Sequence, residues 1–360
     1  MQAIKDSHPD LTLLVTTGTV TSARIAAEEL SGIATHQYIP LDGPRMVERF
    51  LTHWKPNAAF FVESEIWPNL IYKTSDQGIP LILLNARMSM KSSRAWRRVG
   101  RKRTAASLFT RFDLILTQTP VDLLHFTRLC ASNVEHVGNL KLDAPAIEFD
   151  QSALGELRKA IGPRTVFVAA STHPGEDEQI AEANTIVRRS HPDLLTIIVP
   201  RHPERGARIA ELLNDNGRKT SQRSLSEEIT KDVEFYVADT IGELGLFYSL
   251  SDATFVGGSL VPHGGQNPVE PLRLGNPVLL GPHTKNFQDI NATLDQHAAI
   301  IRVTDAEELA KQIEQILAHP GQTEERNARA VVALSELEGA LEKTMERIEP
   351  YLSGAVPDDV

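Results

Sequence analysis

The chain has 360 residues, of which 41% are hydrophobic, and this length suits two soluble domains better than one compact core. Its single cysteine excludes an intramolecular disulfide and favours a reducing compartment, and no apolar run approaches the roughly 18 residues of a membrane span. The net charge of -10 argues against a general nucleic-acid binder.

The charge is unevenly shared along the chain. Residues 1–147 carry 17 Lys and Arg against 13 Asp and Glu, whereas residues 148–360 carry 20 against 34. The first part is therefore basic and the second acidic, so we expect the two parts to face different partners or surroundings.

Short apolar runs alternate with helical patterns in the first part. The opening residues are typical of the end of a helix, and the runs LTLLVTT, AAFFVES, PLILLNA and DLILTQT each precede a helical period. The third period predicts one long helix from about Ser92 to Arg111. Since a doubly wound domain normally opens on a strand, this domain is expected to begin in its middle.

The alternation restarts after residues 142–152, where TVFVAAS, LLTIIVP and DATFVGGS each precede a helical period. Continuously apolar strands between helices predict parallel sheets that are covered on both faces. The sequence thus predicts an α/β protein with two Rossmann-like, doubly wound domains, 1–147 and 148–335, followed by a C-terminal helix and tail, 336–360. Ligands are expected in the loops at the carboxyl ends of the strands.

Two such loops in the second part carry charge. VPRHPER gathers Arg201, His202 and Arg205, which could hold a phosphate, although a solvated basic turn would look the same. DTIGEL fits a capping box, with Thr240 as N-cap and Glu243 three residues later, and by itself it predicts only the start of a helix.

The stretch GGSLVPHGGQNPVEP indicates a ligand more directly. Asn267 is predicted as a helix N-cap, with Pro268 as the first helical residue and Glu270 as the third. A glycine-rich turn before a helix start favours phosphate, and a nearby carboxylate suits ribose hydroxyls. Together these groups predict a nucleotide site.

In the first part, FVESEIWPN leaves Glu63 and Glu65 at the end of a strand. One of them could act as a general base or orient a substrate hydroxyl, or both could simply complement a helix N-terminus. Lys141, in GNLKLD, lies close to the predicted domain boundary and is weak evidence alone.

The segment from Lys91 to Arg111 holds eight Lys and Arg and no acidic residue. Such a segment favours an anionic partner, a phosphorylated lipid, a membrane surface or nucleic acid, over a merely solvated helix face. Neither a GxxxxGK[ST] loop, nor GxGxxG after a first strand, nor Cys/His metal spacing occurs in the sequence. The motifs of nucleotide hydrolysis, hydride transfer and zinc chemistry are therefore missing.

Taken together, these motifs resemble those of the 3-deoxy-D-manno-octulosonic acid (Kdo) transferases, enzymes of lipopolysaccharide synthesis with the GT-B fold. The resemblance rests on FVESEIWPNLI, ILLNARMS, VGNLKLD, STHPGEDE, IVPRHPER, DTIGELGLFYSLSD, FVGGSLVPHGGQNPVEP and LGPHTKNFQDI, and it runs in order from about Asp10 to Leu352.

This resemblance implies transfer of Kdo from CMP-Kdo to the lipid A precursor with inversion and with neither metal nor cofactor, at the cytoplasmic face of the inner membrane. By the same resemblance Glu63 and Lys141 stabilise the transition state. The CMP-binding segments are implied to be Pro200 and Arg201, then Ile241, Gly242 and Glu243, then Asn267, Pro268, Val269 and Glu270. From charge alone, we expect Arg97, Arg98, Arg101 and Lys102 to meet the lipid phosphates and the anionic membrane surface, with no nucleic-acid partner.

Family members also carry an N-terminal hydrophobic anchor and a strand ending in a Ser-Val-Gly-Glu-like motif, whose Glu is the general base. This sequence begins after that motif, so the chain is expected to bind the donor but to transfer sugar poorly. The alternatives are a truncated or non-catalytic CMP-sugar or lipid-binding relative, and another GT-B nucleotide-sugar enzyme.

Overall fold

The computed structural model describes residues 1–98, 102–129, 131–144 and 147–354. The chain divides into two compact units. The first unit comprises Met1–Asp143 and the segment from Glu338 onward, and the second comprises Ala144–Leu337. The boundary lies close to the predicted one, but the C-terminal helix belongs with the first unit and does not form a segment of its own.

The first unit alternates strands and helices as the sequence predicts. Its strands are β1 (Leu14–Thr17), β2 (Thr35–Tyr38), β3 (Ala59–Val62), β4 (Leu81–Ala86), β5 (Leu114–Thr117) and β6 (Val134–His136). Its helices are α1 (Gln2–Ser7), α2 (Val20–Glu29), α3 (Pro44–Trp54), α4 (Pro68–Asp76), α5 (Met90–Trp96), α6 (Lys102–Phe109) and α7 (Pro120–Thr127). A short 3-10 turn, Leu140–Leu142, follows β6.

All strand pairs in the first unit are parallel, but they form two sheets. β1 pairs with β2, and β3, β4, β5 and β6 form a four-stranded sheet in that order. Within the described ranges no ladder joins the two sheets, whereas the sequence predicts one doubly wound sheet.

The long helix predicted from Ser92 to Arg111 is wrong. α5 ends at Trp96, and α6 begins at Lys102 and ends at Phe109. Glycine is a poor helix former and a dense run of like charges repels, so the sequence around Gly100 opposes a continuous helix. Arg97 and Arg98 are exposed at the end of α5, whereas Arg101 lies outside the described residues.

The second unit contains a seven-stranded parallel sheet. Its strands are β7 (Val166–Thr172), β8 (Leu195–Pro200), β9 (Thr220–Gln222), β10 (Phe235–Val237), β11 (Ala253–Val256), β12 (Val278–Leu280) and β13 (Ile300–Arg302). Its helices are α8 (Gln151–Ile161), α9 (Asp177–Val187), α10 (Gly206–Asp215), α11 (Leu244–Tyr248), α12 (Val269–Arg273), α13 (Gln288–Gln296), α14 (Ala306–Ala318) and α15 (Pro320–Leu337). The strand order is β13-β12-β11-β7-β8-β10-β9.

Both faces of this sheet are covered, as the apolar strands predict. Phe167 packs on one face with residues of α9 and α14, and its neighbour Val168 packs on the other face with residues of α8 and α11. Successive side chains of a strand point to opposite faces, so a strand covered on both faces has to be apolar throughout.

The last helix, α16 (Ala340–Ser353), returns to the first unit. Ile348 and Leu352 of this helix pack with Ile82 and Leu116 of the four-stranded sheet. The Asp143 carboxylate accepts a hydrogen bond from the Gly339 backbone N–H at 2.8 Å and another from Leu341, which ties down the start of the helix. Among the described residues, no helix is both long and apolar enough to span a membrane.

One glycine sets how closely two central strand ends approach. A Cβ at Gly257, directly after β11, would lie 2.5 Å from the Ser171 carbonyl oxygen of β7. Because that neighbour is backbone, it cannot rotate away.

We therefore expect Gly257→Ala to lower the free energy of unfolding by about 1–3 kcal/mol, the usual cost of overpacking. Gly155 is the matched control, since it lies inside α8 with no atom within 4 Å of the added methyl. Gly155→Ala should raise stability by about 0.5–1 kcal/mol. Urea denaturation measures both changes, and equal stability of the two variants would contradict the close-approach interpretation.

Candidate functional site

In the first unit, the structure brings Glu63 and Lys141 together. Glu63 directly follows β3, and its φ of 57° lies in the left-handed region. Lys141 lies in the 3-10 turn after β6, and its Nζ is 2.5 Å from Glu63 Oε1. These two side chains, distant in the sequence, thus form an ion pair.

Asn85, at the end of β4, holds the turn that carries Lys141. Its Oδ1 accepts a hydrogen bond from Leu140 N at 3.0 Å, and its Nδ2 donates to Asn139 Oδ1 at 3.2 Å. Asn85 is buried and also has a positive φ, 51°. Glu63 and Asn85 are thus two non-glycine residues in the left-handed region, at the ends of neighbouring strands. Such strained backbone persists only where the surrounding structure enforces it.

This ion pair contributes little to stability, because the side chains of Lys141 and Glu63 are 70% and 33% exposed. Its chemistry suits a reaction better: an ammonium can stabilise developing negative charge, and a carboxylate can orient a hydroxyl. Glu65 has a different role, since its Oε2 accepts a hydrogen bond from Trp67 Nε1 at 2.8 Å.

In the second unit, the predicted residues gather after neighbouring strands. Pro200 ends β8 and Arg201 follows it, residues 241–243 follow β10, and residues 267–270 follow β11. All these strands are parallel, and β7 lies between β8 and β11, so these three loops and the loop after β7 share one edge of the sheet. This edge is the carboxyl end of the strands, where parallel sheets bind ligands.

Glu176 connects two of the loops at this edge of the sheet. Its carboxylate is fully buried, and each oxygen accepts two backbone hydrogen bonds. Oε2 accepts from His173 N at 2.9 Å and Gly258 N at 2.7 Å, and Oε1 accepts from Ser259 N and Leu260 N, both at 3.0 Å. The β7–α9 loop and the loop after β11 are thereby held together by one charged group.

Arg201 and Arg205 have different environments, although both lie in the basic VPRHPER motif. The Arg201 backbone N–H donates to Thr172 O at 3.1 Å, and its side chain is exposed. Arg205 instead donates to Thr172 O at 2.7 Å and pairs with the buried Asp177. The Arg205 guanidinium is therefore engaged in the fold, whereas that of Arg201 is exposed.

Asn267 and Glu270 contact each other at the start of α12. Asn267 Oδ1 accepts from Val269 N at 3.0 Å, and its Nδ2 donates to Glu270 Oε1 at 3.1 Å. Burial raises the pKa of Glu270, which the Asn267 hydrogen bond and the Arg201 charge oppose. The Arg201 charge thus acts on Glu270, although β7 lies between the strands that precede these two residues.

The helix start itself differs from the prediction. α12 begins at Val269, with Pro268 before it, and has only five residues. So short a helix has a small dipole, because few peptide units are aligned. Side chains and the open glycine turn are therefore the main groups that could receive an anion here.

Glu243 does not form the predicted capping box. α11 begins at Leu244, and the Thr240 hydroxyl donates to the Glu243 carboxylate instead of capping the helix. Arg223 binds this carboxylate through two nitrogens, with Nε 2.6 Å from Oε2. That hydrogen bonding, chiefly from Arg223, lowers the pKa of Glu243.

Sequence reasoning missed Glu176 and Arg223. Glu176 was visible, since STHPGEDE places a carboxylate just after a strand end, but only burial shows that backbone amides surround it. Arg223 lies in a loop without a motif, and only the fold brings it to Glu243.

We expect Glu176→Gln to lower the free energy of unfolding by about 2–4 kcal/mol, because an amide NH₂ would replace an oxygen that accepts two buried N–H groups. Glu178→Gln is the matched control, since Glu178 is exposed in the first turn of α9, the helix that begins directly after Glu176. Thermal or urea unfolding of both variants tests this, and a Glu176→Gln protein as stable as the control would contradict the role of Glu176.

Comparison with known proteins agrees with this geometry. Residues 1–144 match a family described as 3-Deoxy-D-manno-octulosonic-acid transferase (kdotransferase), and residues 164–331 match Glycosyl transferases group 1. The chain is 32% identical over 356 residues to the 3-deoxy-D-manno-octulosonic acid transferase of Haemophilus influenzae, covering 98% of this chain and 83% of that protein. It is 35% identical over 320 residues to the probable mitochondrial 3-deoxy-D-manno-octulosonic acid transferase of Arabidopsis thaliana, covering 86% of this chain and 72% of that protein.

The fold has a counterpart among solved structures. Anabaena Alr3699/HepE, crystallised in complex with UDP, aligns with a TM-score of 0.62 at 14% identity over 97% of this chain and 94% of that one. At that identity the likeness shows the fold alone, which is the α/β architecture of GT-B proteins. Two parallel-sheet units, both family matches and relatives above 30% identity over most of their length lead to one conclusion: the chain is a glycosyltransferase that belongs to the 3-deoxy-D-manno-octulosonic acid transferase family.

Proposed function

We propose that this chain transfers Kdo from CMP-Kdo to the lipid A precursor, a phosphorylated and acylated glucosamine disaccharide, with inversion and without a metal. Family membership supports the reaction class. The observation that carries the donor assignment is the placement of Arg201, Asn267 and Glu270 at one edge of the sheet, where Asn267 contacts Glu270 and the Arg201 charge acts on it.

Each part of CMP has a suitable group at this edge of the second unit. The exposed Arg201 guanidinium would take the phosphate, since it offers two parallel N–H donors. The half-buried Glu270 carboxyl would accept hydrogen bonds from ribose hydroxyls. Ile241 is 87% exposed beside Gly242, so it offers apolar surface to the cytosine ring of CMP.

The reaction changes the charge at two atoms, the acceptor oxygen and the phosphate oxygen of the leaving CMP. The acceptor oxygen forms a bond to the anomeric carbon, its proton passes to a base, and the bond from that carbon to the phosphate oxygen breaks as CMP leaves with the electron pair. Lys141 and Glu63 would stabilise the transition state, and Arg201 would stabilise the departing phosphate.

Calorimetric titration with CMP, UMP and UDP tests the donor. We expect the chain to prefer CMP, and EDTA to leave that affinity unchanged. Glu270→Ala should weaken CMP binding by about 1–3 kcal/mol, because a charged hydrogen-bond partner is removed.

Glu307→Ala serves as the control, since Glu307 lies in the first turn of α14, away from the site loops. Melting temperatures are measured alongside, because Glu270 also contacts Asn267 near the helix start. An unchanged CMP affinity in a folded Glu270→Ala protein would overturn the ribose assignment, and tighter binding of UDP than of CMP would overturn the donor.

We also propose that the basic segment Lys91–Arg111 docks the anionic acceptor and the cytoplasmic surface of the inner membrane. The exposed Arg97 and Arg98 support this, as does the absence of acidic residues from the segment. Basic side chains near an anionic surface are each worth about 1 kcal/mol and are screened by salt.

Replacing Arg97, Arg98, Arg101 and Lys102 with Gln should therefore reduce binding to anionic liposomes, with CMP affinity unchanged. The matched control removes four exposed cations of the second unit, Lys159, Arg189, Arg208 and Lys231. Vesicle sedimentation at low and high salt measures both variants, and equal losses of binding would show a general charge effect without a specific surface.

A further inference from the structure

Three histidines meet at the edge of the second sheet where the donor is proposed to bind. This histidine cluster comprises His173 after β7, His202 after β8 and His263 after β11. The rings of His173 and His263 are stacked, with centroids 3.7 Å apart and planes at 26°, and the His202 ring stands edge-on to His173 at 6.1 Å.

The surrounding backbone makes room for this stack. Gly258 has a φ of 67°, and a Cβ there would lie 3.2 Å from His173 Cδ2 and 3.4 Å from His263 Cδ2. Glu176 fixes both Gly258 and the His173 backbone, so the stack is built into the fold.

Gln266 contacts the ring of His173. Its Nε2 lies 2.9 Å from His173 Nε2. With its amide nitrogen towards the ring, Gln266 can donate to a neutral imidazole whose proton is on Nδ1. If the ring became charged, Gln266 could turn over and present its oxygen, so the contact suits both states.

Both positive and negative groups surround the stack. Burial, then His263, His202, Arg205 and Arg201, lower the pKa of His173 to about 4. Of the acidic groups, Glu176 accepts four backbone hydrogen bonds, Asp177 pairs with Arg205, and Glu204 lies 3.8 Å from His202. An anion bound beside the ring would offset the effect of the basic groups on His173.

We propose that the histidine cluster, with Arg201, is the subsite for an oxyanion of the sugar-nucleotide donor, and that His173 takes up a proton as the donor binds. The inference rests on the proposed function. CMP-Kdo carries two oxyanions, the phosphodiester and the sugar carboxylate, and either could occupy the subsite. A carboxylate occupant would make the cluster a determinant of specificity for acidic sugars.

Calorimetry from pH 5.5 to 7.5, in pairs of buffers with different ionisation enthalpies, counts the protons taken up with CMP-Kdo, CMP and cytidine. We expect up to one proton with CMP-Kdo near pH 6, and affinity that rises up to about tenfold for each unit of pH lost. Cytidine, which has no oxyanion, should show neither effect.

His173→Gln should abolish the proton uptake, and His319→Gln, an exposed histidine at the far end of α14, should preserve it. CMP itself titrates near pH 6, so its uptake is compared with that of His173→Gln. If CMP binding is accompanied by proton uptake that His173→Gln abolishes, the phosphate occupies the subsite. If only CMP-Kdo binding is accompanied by such uptake, the carboxylate occupies it.

Donor binding by the unmodified protein without proton uptake would overturn this inference and leave the proposed function standing. Equal uptake by the unmodified protein and His173→Gln would do the same. If His173→Gln does not fold, His173→Asn replaces it with the same expected loss of proton uptake, since it also removes the imidazole. Failure of CMP and CMP-Kdo to bind at all would instead overturn the proposed function, and this inference with it.

Discussion

The arrangement of the second unit depends on the buried carboxylate of Glu176. A buried charge is costly unless hydrogen bonds satisfy it, and here four backbone amides do so. Those amides belong to two loops that follow adjacent strands, β7 and β11. The charge therefore holds in place the loops that carry His173 and the glycine turn, and the remaining groups of the site are positioned relative to them.

Glycine and strain complete this arrangement. Gly257 lets the backbone after β11 approach the carbonyl of Ser171, and Ser171 itself has a φ of 55° at an irregularity of the β7–β8 ladder. Irregular backbone at the end of a central strand redirects the chain towards the sheet edge. In the first unit, Glu63 and Asn85 have the same left-handed conformation at the ends of β3 and β4. Each unit thus has a residue of this conformation at a strand end where its candidate site lies.

The two units present different chemistry at these edges. The first offers one exposed pair of opposite charges, Glu63 and Lys141, suited to a reacting group. The second offers cations, imidazoles and a half-buried carboxyl, suited to a nucleotide that carries negative charge. Two ion pairs also form in this unit, Arg205 with Asp177 and Arg223 with Glu243.

The sequence by itself determined the architecture and the identity of the family. Continuously apolar strands such as β8 can only be buried on both faces, and the motif order from FVESEIWPNLI to LGPHTKNFQDI is specific enough to indicate Kdo transferases. It also placed Arg201, Asn267 and Glu270 in loops after strands, because helical and strand periods are local properties. The predicted N-caps at Thr240 and Asn267 and the single helix from Ser92 were wrong, since tertiary context overrides local helix preference.

Only the tertiary structure decided which charges are free to act. Arg201 and Arg205 are equivalent in a motif, yet one is exposed and the other is bound to Asp177. Glu176 and Glu178 stand two residues apart, yet one organises four amides and the other faces water. Burial and partners come from strands that are distant in the sequence, and no local pattern records which distant residue will arrive beside a given side chain.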